Sequence, residues 1–473
     1  MPSEKVLLIS ILKDSHRNLS CLSLFSALAG RNIDVKLLFL PKEEEYDEAA
    51  FGEFVRGGDF GIIGISLMTS GFNFAKALTS AVREHSPTTH VVWGGIHPTL
   101  MPDECLDHAD SVCVGEGELT LQRLAEAVFS GGDASGIPGI GVKKPGGGKV
   151  VNKPAPLIND LDSLPFSRYD WDGFYLQDAS GLRAFGRDEY VRYSNYNGDD
   201  YTLMASRSCP FSCAYCCNSF LNELYGNKGR IRTRSVDNVI QEIKHAMSYI
   251  GEIKFINFID DHFFLSSKEW LGRFTERYAE EIKLPFIVRV VPGSFDEDDM
   301  KKLKAAGLRF VQIGLQSGSE NTHKQIFNRK FNRDKFISAA RILNRCGIHP
   351  FYDVIIQNDF ENDADRDETL RLLLDLKKPF SLFLFALTPF PKTRLETMYE
   401  ERGIKPRTDP YGKGYADYDE NDFHYQLAGL IPYMPGFAAR MVFRMRKVKA
   451  ARTAFQVYYR AAKTRERKNV TAQ

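Results

Sequence analysis

Charge imbalance is the first thing that this sequence lacks. Its 473 residues carry 62 Lys and Arg against 61 Asp and Glu. A protein that attracts nucleic acid through its overall field needs a clear basic excess, so the composition gives no electrostatic case for such a partner. Long apolar runs are missing as well. None approaches the roughly 20 residues of a membrane-spanning helix, and the first run is followed at once by charges, unlike a signal peptide. We therefore expect a cytoplasmic protein.

Several common site patterns are also absent. The eight cysteines do not have the arrangement of a disulfide framework. No second C-x2-C pair accompanies Cys213 and Cys216, which argues against a structural zinc site. No G-x-G-x-x-G sequence follows the first apolar run, which argues against a nicotinamide cofactor.

Three of the cysteines form one compact motif. Cys209, Cys213 and Cys216 have the spacing C-x3-C-x2-C and follow an apolar, strand-like run at residues 201–205. Three thiolates on one short loop can converge on a metal centre and leave one position open for a further ligand. A redox or zinc loop of another kind is the alternative. Cys217 is interpreted as a packing residue, because adjacent cysteines rarely bind one iron together.

This motif, with Tyr215 just before its last cysteine, resembles that of the radical S-adenosylmethionine (SAM) superfamily. The resemblance implies that Cys209, Cys213 and Cys216 hold a 4Fe-4S cluster and that Tyr215 lies at the SAM site. It also implies that the open iron binds SAM, which is cleaved to a 5′-deoxyadenosyl radical.

The first third of the chain alternates compact apolar runs with amphipathic stretches. This alternation predicts a doubly wound parallel sheet, whose ligands lie in the loops that follow the strands. These loops are rich in serine and glycine, and they resemble those of the cobalamin-binding domain that precedes the barrel in one large class of radical SAM enzymes. The residues that the resemblance assigns to cobalamin are Ser66, Gly94, Gly95, Gly115 and Glu116. A doubly wound domain whose glycines only make tight turns is the alternative.

One histidine is a candidate ligand of cobalt. Asp14 and His16 resemble the D-x-H-x-x-G motif of cobalamin proteins in which the histidine is the lower axial ligand. In that motif the aspartate orients the histidine. However, Leu19 stands where the motif has glycine, and radical SAM relatives mostly lack this ligand. A solvated loop histidine is therefore the favoured interpretation.

After the cysteine motif the alternation of strands and helices resumes, for about six β/α units in all. This predicts a partial TIM-type barrel, in which the carboxyl ends of the strands carry the chemistry. By the family resemblance, Asp260 holds the position whose acidic or backbone groups meet the SAM amino group. Arg289 is placed to pair the SAM carboxylate, while Gln316 and Ser317 lie where relatives bind the ribose or carboxylate. Many relatives have Glu-Ser at the last two positions. The alternative for each residue is a satisfied polar group of the barrel rim.

The predicted fold class is α/β, and the chain divides into four segments. They are a cobalamin-binding Rossmann-like domain (residues 1–142), a linker (143–200), a radical SAM partial barrel (201–403) and a helical C-terminal extension (404–473). In the extension, residues 440–468 carry eleven Lys or Arg against one Glu. A basic, loosely amphipathic helix of this kind binds anionic membrane surfaces. A helix docked on the barrel is the slightly favoured alternative.

The predicted function is that of a cobalamin-dependent radical SAM enzyme. The resemblance implies methylation of an unactivated carbon through a 5′-deoxyadenosyl radical and methylcobalamin. It also implies three cofactors, a 4Fe-4S cluster, SAM and cobalamin, and an electron donor such as flavodoxin or ferredoxin. The substrate is expected to be a small or lipid-like molecule. The alternatives are a cyclase or rearrangement enzyme of the same class, and a non-catalytic cobalamin or iron–sulfur sensing module.

Overall fold

The computed structural model of the chain describes residues 3–13, 15, 17–144, 146–169, 171–194, 199–226, 230–263 and 267–470. The described residues form two large sheets, each flanked by helices, and a short two-stranded ribbon. This arrangement confirms the predicted α/β class.

The first sheet has nine strands. They are β1 (Lys5–Ser10), β2 (Asp34–Phe39), β3 (Ile62–Ser66), β4 (His90–Gly94), β5 (Ser111–Cys113), β6 (Ile140–Lys143), β7 (Lys149–Val151), β8 (Phe174–Asp178) and β9 (Gly181–Ala184). Their order is β7-β6-β5-β4-β3-β1-β2-β8-β9. The six strands from β5 to β8 are parallel, while β6, β7 and β9 are antiparallel additions at the edges. The chain reverses its direction across the sheet at β1 and β3, as in doubly wound folds.

Helices cover both faces of this sheet, which is why its central strands are almost entirely apolar. They are α1 (Leu19–Ala29), α2 (Glu48–Gly58), α3 (Phe72–His85), α4 (Ile96–Leu100), α5 (Pro102–Leu106), α6 (Glu118–Phe129) and α7 (Arg187–Arg192). In β1, the four residues from Val6 to Ile9 are at most 2% exposed. Asn18 caps α1 by accepting a hydrogen bond from the Cys21 amide.

The segment for which the sequence predicts a linker extends this first sheet. Within residues 143–200, β8 pairs with β2, and β9 forms a hairpin with β8. Phe174 is fully buried and packs edge-on against Phe25 and Phe39. The connection between the two domains is therefore a structural part of the first one.

The second sheet is a parallel, open barrel. Its strands are β10 (Asp200–Leu203), β13 (Phe255–Phe258), β14 (Phe286–Val290), β15 (Leu308–Gln316), β16 (His349–Gln357) and β17 (Ser381–Ala386), and they lie in this order. Because β10 and β17 are the two edges, the barrel is not closed. The ribbon consists of β11 (Ser206–Arg207) and β12 (Arg232–Thr233). The predicted partial barrel is confirmed.

The barrel helices follow the strands in regular alternation. They are α8 (Cys217–Leu224), α9 (Val236–Tyr249), α10 (Lys268–Glu281), α11 (Glu297–Ala306), α12 (Glu320–Gln325), α13 (Arg333–Arg345), α14 (Asp363–Asp375) and α15 (Arg394–Arg402). Side chains such as Val311 and Ile313 of β15 are fully buried in the core between strands and helices. Their neighbours in the pleat, Phe310 and Gln312, are partly exposed and face the inside of the barrel.

The C-terminal extension contains three helices, α16 (Phe423–Leu430), α17 (Gly436–Arg444) and α18 (Lys449–Val470). The basic stretch 440–468 is thus divided between two helices. Phe455 and Tyr459 of α18 are buried, and Phe455 packs on Phe423 of α16, so this part of the helix is docked on the protein. Among the helices of the described residues, none has the length and apolar character required to cross a bilayer.

Candidate active site

A cavity of about 340 Å³ lies between the carboxyl ends of the two sheets, within the usual range of ligand sites of about 300 to 1,000 Å³. The first domain contributes loop residues that include Ser66, Gly94, Gly95, Gly115, Glu116 and Gly117. The barrel domain contributes Met204, Arg207, Ser208, Asn218, Tyr225 and Asp261, among others. All five residues described as candidate cobalamin contacts therefore line one space that also borders the cysteine loop.

Two of the cavity glycines are required by local geometry. Gly95 has a φ of +98°, and a Cβ there would lie 2.7 Å from the carbonyl oxygen of Leu67. Gly115 has a φ of +86°, and its Cβ would lie 1.8 Å from the hydroxyl of Tyr225. These positions leave a wall of bare backbone, while Leu24 and Leu121 add apolar side chains. Such a wall fits a broad ligand that approaches the backbone closely, as the cobalamin prediction requires.

Glu116 connects the two domains. The Arg232 guanidinium donates to both oxygens of its carboxylate, with Nη2–Oε1 at 2.7 Å and Nη1–Oε2 at 3.0 Å. Arg207 lies 3.3 Å from the same carboxylate and donates to Glu118 at 2.6 Å. Burial disfavours the charged form of Glu118, but the charge and hydrogen bond of Arg207 outweigh this effect and lower the pKa of Glu118. Glu116 lines the cavity as predicted, but its charge is already engaged by Arg232.

The two arginines occupy paired positions of the β11–β12 ribbon, since Arg207 and Arg232 are register partners. The ribbon thus presents two cations side by side to the acidic loop at Glu116 and Glu118. Sequence reasoning missed both arginines, because their partners lie 89 and 116 residues away along the chain. It also missed Tyr225, whose hydroxyl accepts a hydrogen bond from the Glu116 amide at 2.9 Å.

The three motif cysteines lie on the loop between β11 and α8, and all three are half-buried. The loop is held to the barrel rim by backbone hydrogen bonds of Ala214, one from its amide to the Phe327 carbonyl and one to its carbonyl from the Leu395 amide, each 2.9 Å long. Burial raises the pKa of Cys209 to about 12, with smaller contributions from the other two thiols. The three thiols are therefore close enough to influence one another's ionisation.

This donor set fits an iron–sulfur cluster. Thiolates are the normal ligands of such clusters, and three of them leave one position open. Within the residues that the structure describes, no group of three or more His, Cys, Asp or Glu side chains is already drawn together as in a filled metal site. The Cys216 thiol instead hydrogen-bonds to that of Cys217, which lowers the pKa of Cys217. The assignment to Cys209, Cys213 and Cys216 thus depends on donor chemistry and remains a prediction.

The carboxylate of Asp260 is engaged within the protein. It is fully buried, and it accepts hydrogen bonds from the Ser206 hydroxyl at 2.5 Å and the Ala205 amide at 3.2 Å. Both oxygens therefore hold the start of β11, and the role of Asp260 at the SAM site stays a prediction. The next residue, Asp261, lines the large cavity and hydrogen-bonds Asn218. The cavity-facing carboxylate at this strand end is Asp261.

Arg289 belongs to a polar row on the inner face of the barrel. Its Nε donates to Gln312 at 3.0 Å, and its Nη1 donates to the Ile259 carbonyl at 3.1 Å. Gln312 in turn donates to the carboxylate of Asp353 at 2.9 and 3.1 Å. Burial raises the pKa of Asp353 to about 6. The charge of Arg289 also reaches Asp261, which lines the large cavity.

Gln316 and Ser317, although adjacent, have different surroundings. Gln316 has a φ of +66° at an irregularity of the sheet register. It lines a second cavity of about 200 Å³ together with Tyr215, Phe385 and Tyr415. Ser317 is fully buried and donates to Glu361 at 2.7 Å, so it holds the turn after β15. Tyr215 and Gln316 therefore line one cavity and Ser317 does not, while their contact with SAM stays a prediction. His16 and Asp14 lie outside the described residues.

Two family models match the chain. The B12 binding domain matches residues 4–125, and the Radical SAM superfamily matches residues 203–373. The chain therefore combines an N-terminal B12-binding domain with a radical SAM domain, which is the domain order of the predicted family. This confirms the predicted family and, with it, the predicted set of cofactors. It also removes support from the alternative of a non-catalytic sensing module.

Individual relatives agree with this assignment. The chain is 28% identical over 379 residues to an uncharacterised methyltransferase, PH0819, of Pyrococcus horikoshii, covering 79% of this chain and 76% of the relative. It is 27% identical to an anaerobic magnesium-protoporphyrin IX monomethyl ester cyclase of Synechocystis, covering 72% of this chain and 64% of the cyclase. The structure of TsrM from Kitasatospora setae, a radical SAM methyltransferase with cobalamin and a [4Fe-4S] cluster bound, superposes with a TM-score of 0.68 at 19% identity. It covers 86% of this chain and 76% of TsrM, and it shows that the two share a fold.

Proposed function

We propose that this enzyme transfers a methyl group to an unactivated carbon of a small or lipid-like substrate, and that it does so in the cavity between its two domains. The observation that carries the proposal is the composition of the cavity wall. The glycine-rich loops of the B12-binding domain and the rim of the radical SAM barrel line the same space. A cofactor held by either domain therefore faces the other domain across a single cavity.

In this proposal Cys209, Cys213 and Cys216 hold the cluster, and the bare backbone around Gly94 and Gly115 receives cobalamin. Bound together, the cofactors supply one-electron chemistry on SAM and a transferable methyl group. The protein's own groups position and enclose them. Apolar side chains of both domains, such as Leu24 and Leu221, line the cavity and exclude water.

Tyr215, Gln316 and Arg289 are the proposed contacts of SAM. Tyr215 and Gln316 share the smaller cavity next to the cysteine loop, whose wall is almost wholly apolar. Arg289 is partly exposed on the inner face of the barrel and matches a carboxylate by charge and shape. Gln312 holds the Arg289 side chain through Nε, which fixes the direction of the guanidinium.

The protein side of the reaction also needs a fixed distance between the domains. Arg207 and Arg232 provide it by pairing with the acidic loop of the first domain at the edge of the cavity.

An electron donor of the flavodoxin or ferredoxin type belongs to the proposal, because one-electron chemistry needs an external electron. A cytoplasmic location is supported by the eight cysteines, all of which are free. Near-zero net charge supports a function without nucleic acid. Peripheral membrane contact is also a proposal, supported by the basic C-terminal helices.

A cyclase-type reaction is the second candidate, because one of the relatives is a cyclase. The mass of the product separates the two reactions. A methyl transfer adds one CH2 to the substrate, whereas an oxidative ring closure removes hydrogen and adds no carbon.

The first test is the replacement of Cys213 by alanine, with Cys346→Ala as the matched control. Cys346 is also half-buried but follows α13, away from the motif. Anaerobically purified wild-type protein supplied with cobalamin should contain about four iron atoms, as one [4Fe-4S] cluster requires, and one cobalt per chain. Cys346→Ala should match it, while Cys213→Ala should lose the iron, the cluster absorbance and the formation of 5′-deoxyadenosine. Undiminished deoxyadenosine formation by Cys213→Ala would refute the assignment of Cys213 as a ligand of the cluster.

A further inference from the structure

Five large apolar side chains near the C-terminus are exposed at intervals of three or four residues. We call them the apolar ridge: Tyr433, Phe437, Met441, Met445 and Val448. Tyr433 and Phe437 are each 78% exposed, and Met441 is 56% exposed. Single exposed apolar residues are ordinary, but a series of them marks an interaction surface.

The centre of the ridge is the outward face of a docked helix, α17, and the other ridge residues lie just before and after this helix. Phe437 and Met441 are four residues apart on α17 and therefore share one side of it. Ala439 and Phe443, on the other side, are buried. Arg440 fixes the helix to the end of α14 by donating to the Leu374 carbonyl at 2.7 Å. Because α17 is already packed through its opposite face, the exposure of the ridge is not caused by a detached helix.

The charged side chains of the segment that carries the ridge are of one sign. From Ile431 to Tyr459 the sequence has six Lys or Arg and no Asp or Glu. Two of these cations, Arg440 and Arg446, pair with acidic groups of α14, and Arg452 lies over the ring of Phe423. The other three are exposed, and the described residues provide no ion pair for them: Arg444, Lys447 and Lys449. An apolar ridge with unpaired cations along its border complements an anionic lipid surface, where aromatic and apolar side chains insert and cations meet the headgroups.

The ridge also has a defined position on the barrel. Lys378, in the connection from α14 to β17, binds the carbonyls of Ile431 and Met434. That connection leads into the amino end of β17, so the ridge lies at the end of the barrel opposite the cysteine loop. At this end the inner wall is aromatic. Phe351 stacks on Phe383 at 5.2 Å, and Phe383 is 40% exposed.

We propose that the apolar ridge docks this protein on an anionic lipid bilayer. Docking in this orientation turns the aromatic amino end of the barrel toward the lipid. For the proposed methyl transfer, on which this extension rests, the substrate class is then an apolar molecule that resides in the membrane.

The test is flotation of the full-length protein with phosphatidylcholine vesicles that either contain or lack phosphatidylserine. Binding should require phosphatidylserine and weaken as salt is raised. The double variant Phe437→Ser/Met441→Ser should bind at least tenfold more weakly, because it removes two side chains that would be buried in the lipid. Arg444→Gln/Lys449→Gln should weaken binding by about 25-fold, since each basic residue contributes roughly fivefold. The control is Val191→Ser/Met247→Ser, which removes two exposed apolar side chains from other surfaces and should bind like wild type.

Several outcomes would overturn the proposal. They are an absence of binding to both vesicle types, and equal binding by wild type and Phe437→Ser/Met441→Ser. A third is self-association of the wild type that this variant abolishes, which would make the ridge an interface between copies. Flotation is measured without SAM or substrate. Its failure therefore leaves the cluster and deoxyadenosine measurements standing, and their failure leaves flotation standing.

Discussion

The contact between Arg232 and Glu116 should be a main determinant of how firmly the two domains are joined. Arg232 is 6% exposed, and its guanidinium meets both oxygens of Glu116 and the Ile158 carbonyl. The change Arg232→Met keeps most of the length of the side chain and removes its charge. It leaves the carboxylate of Glu116 with the more distant Arg207, at 3.3 Å, as its remaining cation.

The expected loss can be worked out from these contacts. Removal of one partner of a buried ion pair costs about 3 to 5 kcal/mol, because the other charge is left uncompensated. Arg207 and the Ile158 amide still serve Glu116, so we expect about 2 to 3 kcal/mol for Arg232→Met. Denaturant unfolding of wild type, Arg232→Met, Glu116→Gln and the double variant measures this loss and the coupling between the two residues. In the double variant no charge is stranded, so it should lose clearly less than the sum of the single variants.

Arg273→Met is the matched control. Arg273 pairs with Asp237 at the surface, where both side chains are largely exposed, so its loss should leave stability near that of wild type. Two results would refute a stabilising role of the Arg232–Glu116 ion pair between the domains. Arg232→Met could be as stable as this control, or the stability losses of the two single variants could simply add up to that of the double variant. Glu116 would then be free for the cofactor role that the sequence predicts.

Two further predictions concern the cavity wall and the inner face of the barrel. Gly115→Ala should be strongly destabilised and should lose cobalamin absorbance on purification, because its Cβ would meet the Tyr225 hydroxyl at 1.8 Å. Gly136→Ala, whose Cβ would meet nothing within 4 Å, should retain both the stability and the cobalamin absorbance of wild type. Burial raises the pKa of Asp353 from 3.8 to about 6, so the folded protein holds this proton more tightly than the unfolded chain, and stability from this source falls as pH rises from about 4 to 6. Asp353→Asn should therefore gain about 2 to 3 kcal/mol relative to wild type across that window and show a constant difference above it, as measured by unfolding at a series of pH values. A difference that does not change with pH would contradict the burial of an ionisable carboxyl at this position.

The elements with strong local patterns were predictable from the sequence. Apolar runs such as those of β1 and β3 predict buried parallel strands. Because ligands bind in the loops that follow such strands, the sequence also predicts that Ser66, Gly94 and Gly115 lie at one site, and all three line the large cavity. Strand β8 was not predictable in the same way. Its partner β2 is far away in the chain, and the segment before it contains aromatic residues without a regular period. Residues 174–178 form a strand because they pair with β2 at the edge of the folded sheet.

The ion pairs at the domain boundary were not predicted, for a related reason. A Gly-Glu-Gly-Glu sequence after a strand suggests a ligand loop, and Gly115 does border the cavity. Nothing near Glu116 in the sequence indicates that Arg232 of β12 will donate to both oxygens of its carboxylate. The ion pair exists only after two domains have folded and met, so a single local pattern fits both a cofactor contact and an interdomain clamp.

The barrel rim shows how finely such predictions must be resolved. Asp260 and Asp261 are neighbours at the end of one strand, as Gln316 and Ser317 are at another. In each pair one side chain faces a cavity and the other is buried under the rim. Successive side chains of a strand point in opposite directions, so an error of one residue in the strand end exchanges the two roles. The sequence locates the rim, but the choice within each pair depends on the backbone, as the φ of +66° at Gln316 demonstrates. It follows that Gln316, rather than Ser317, is the position of its pair at which a substitution should change the binding of SAM without first unfolding the turn.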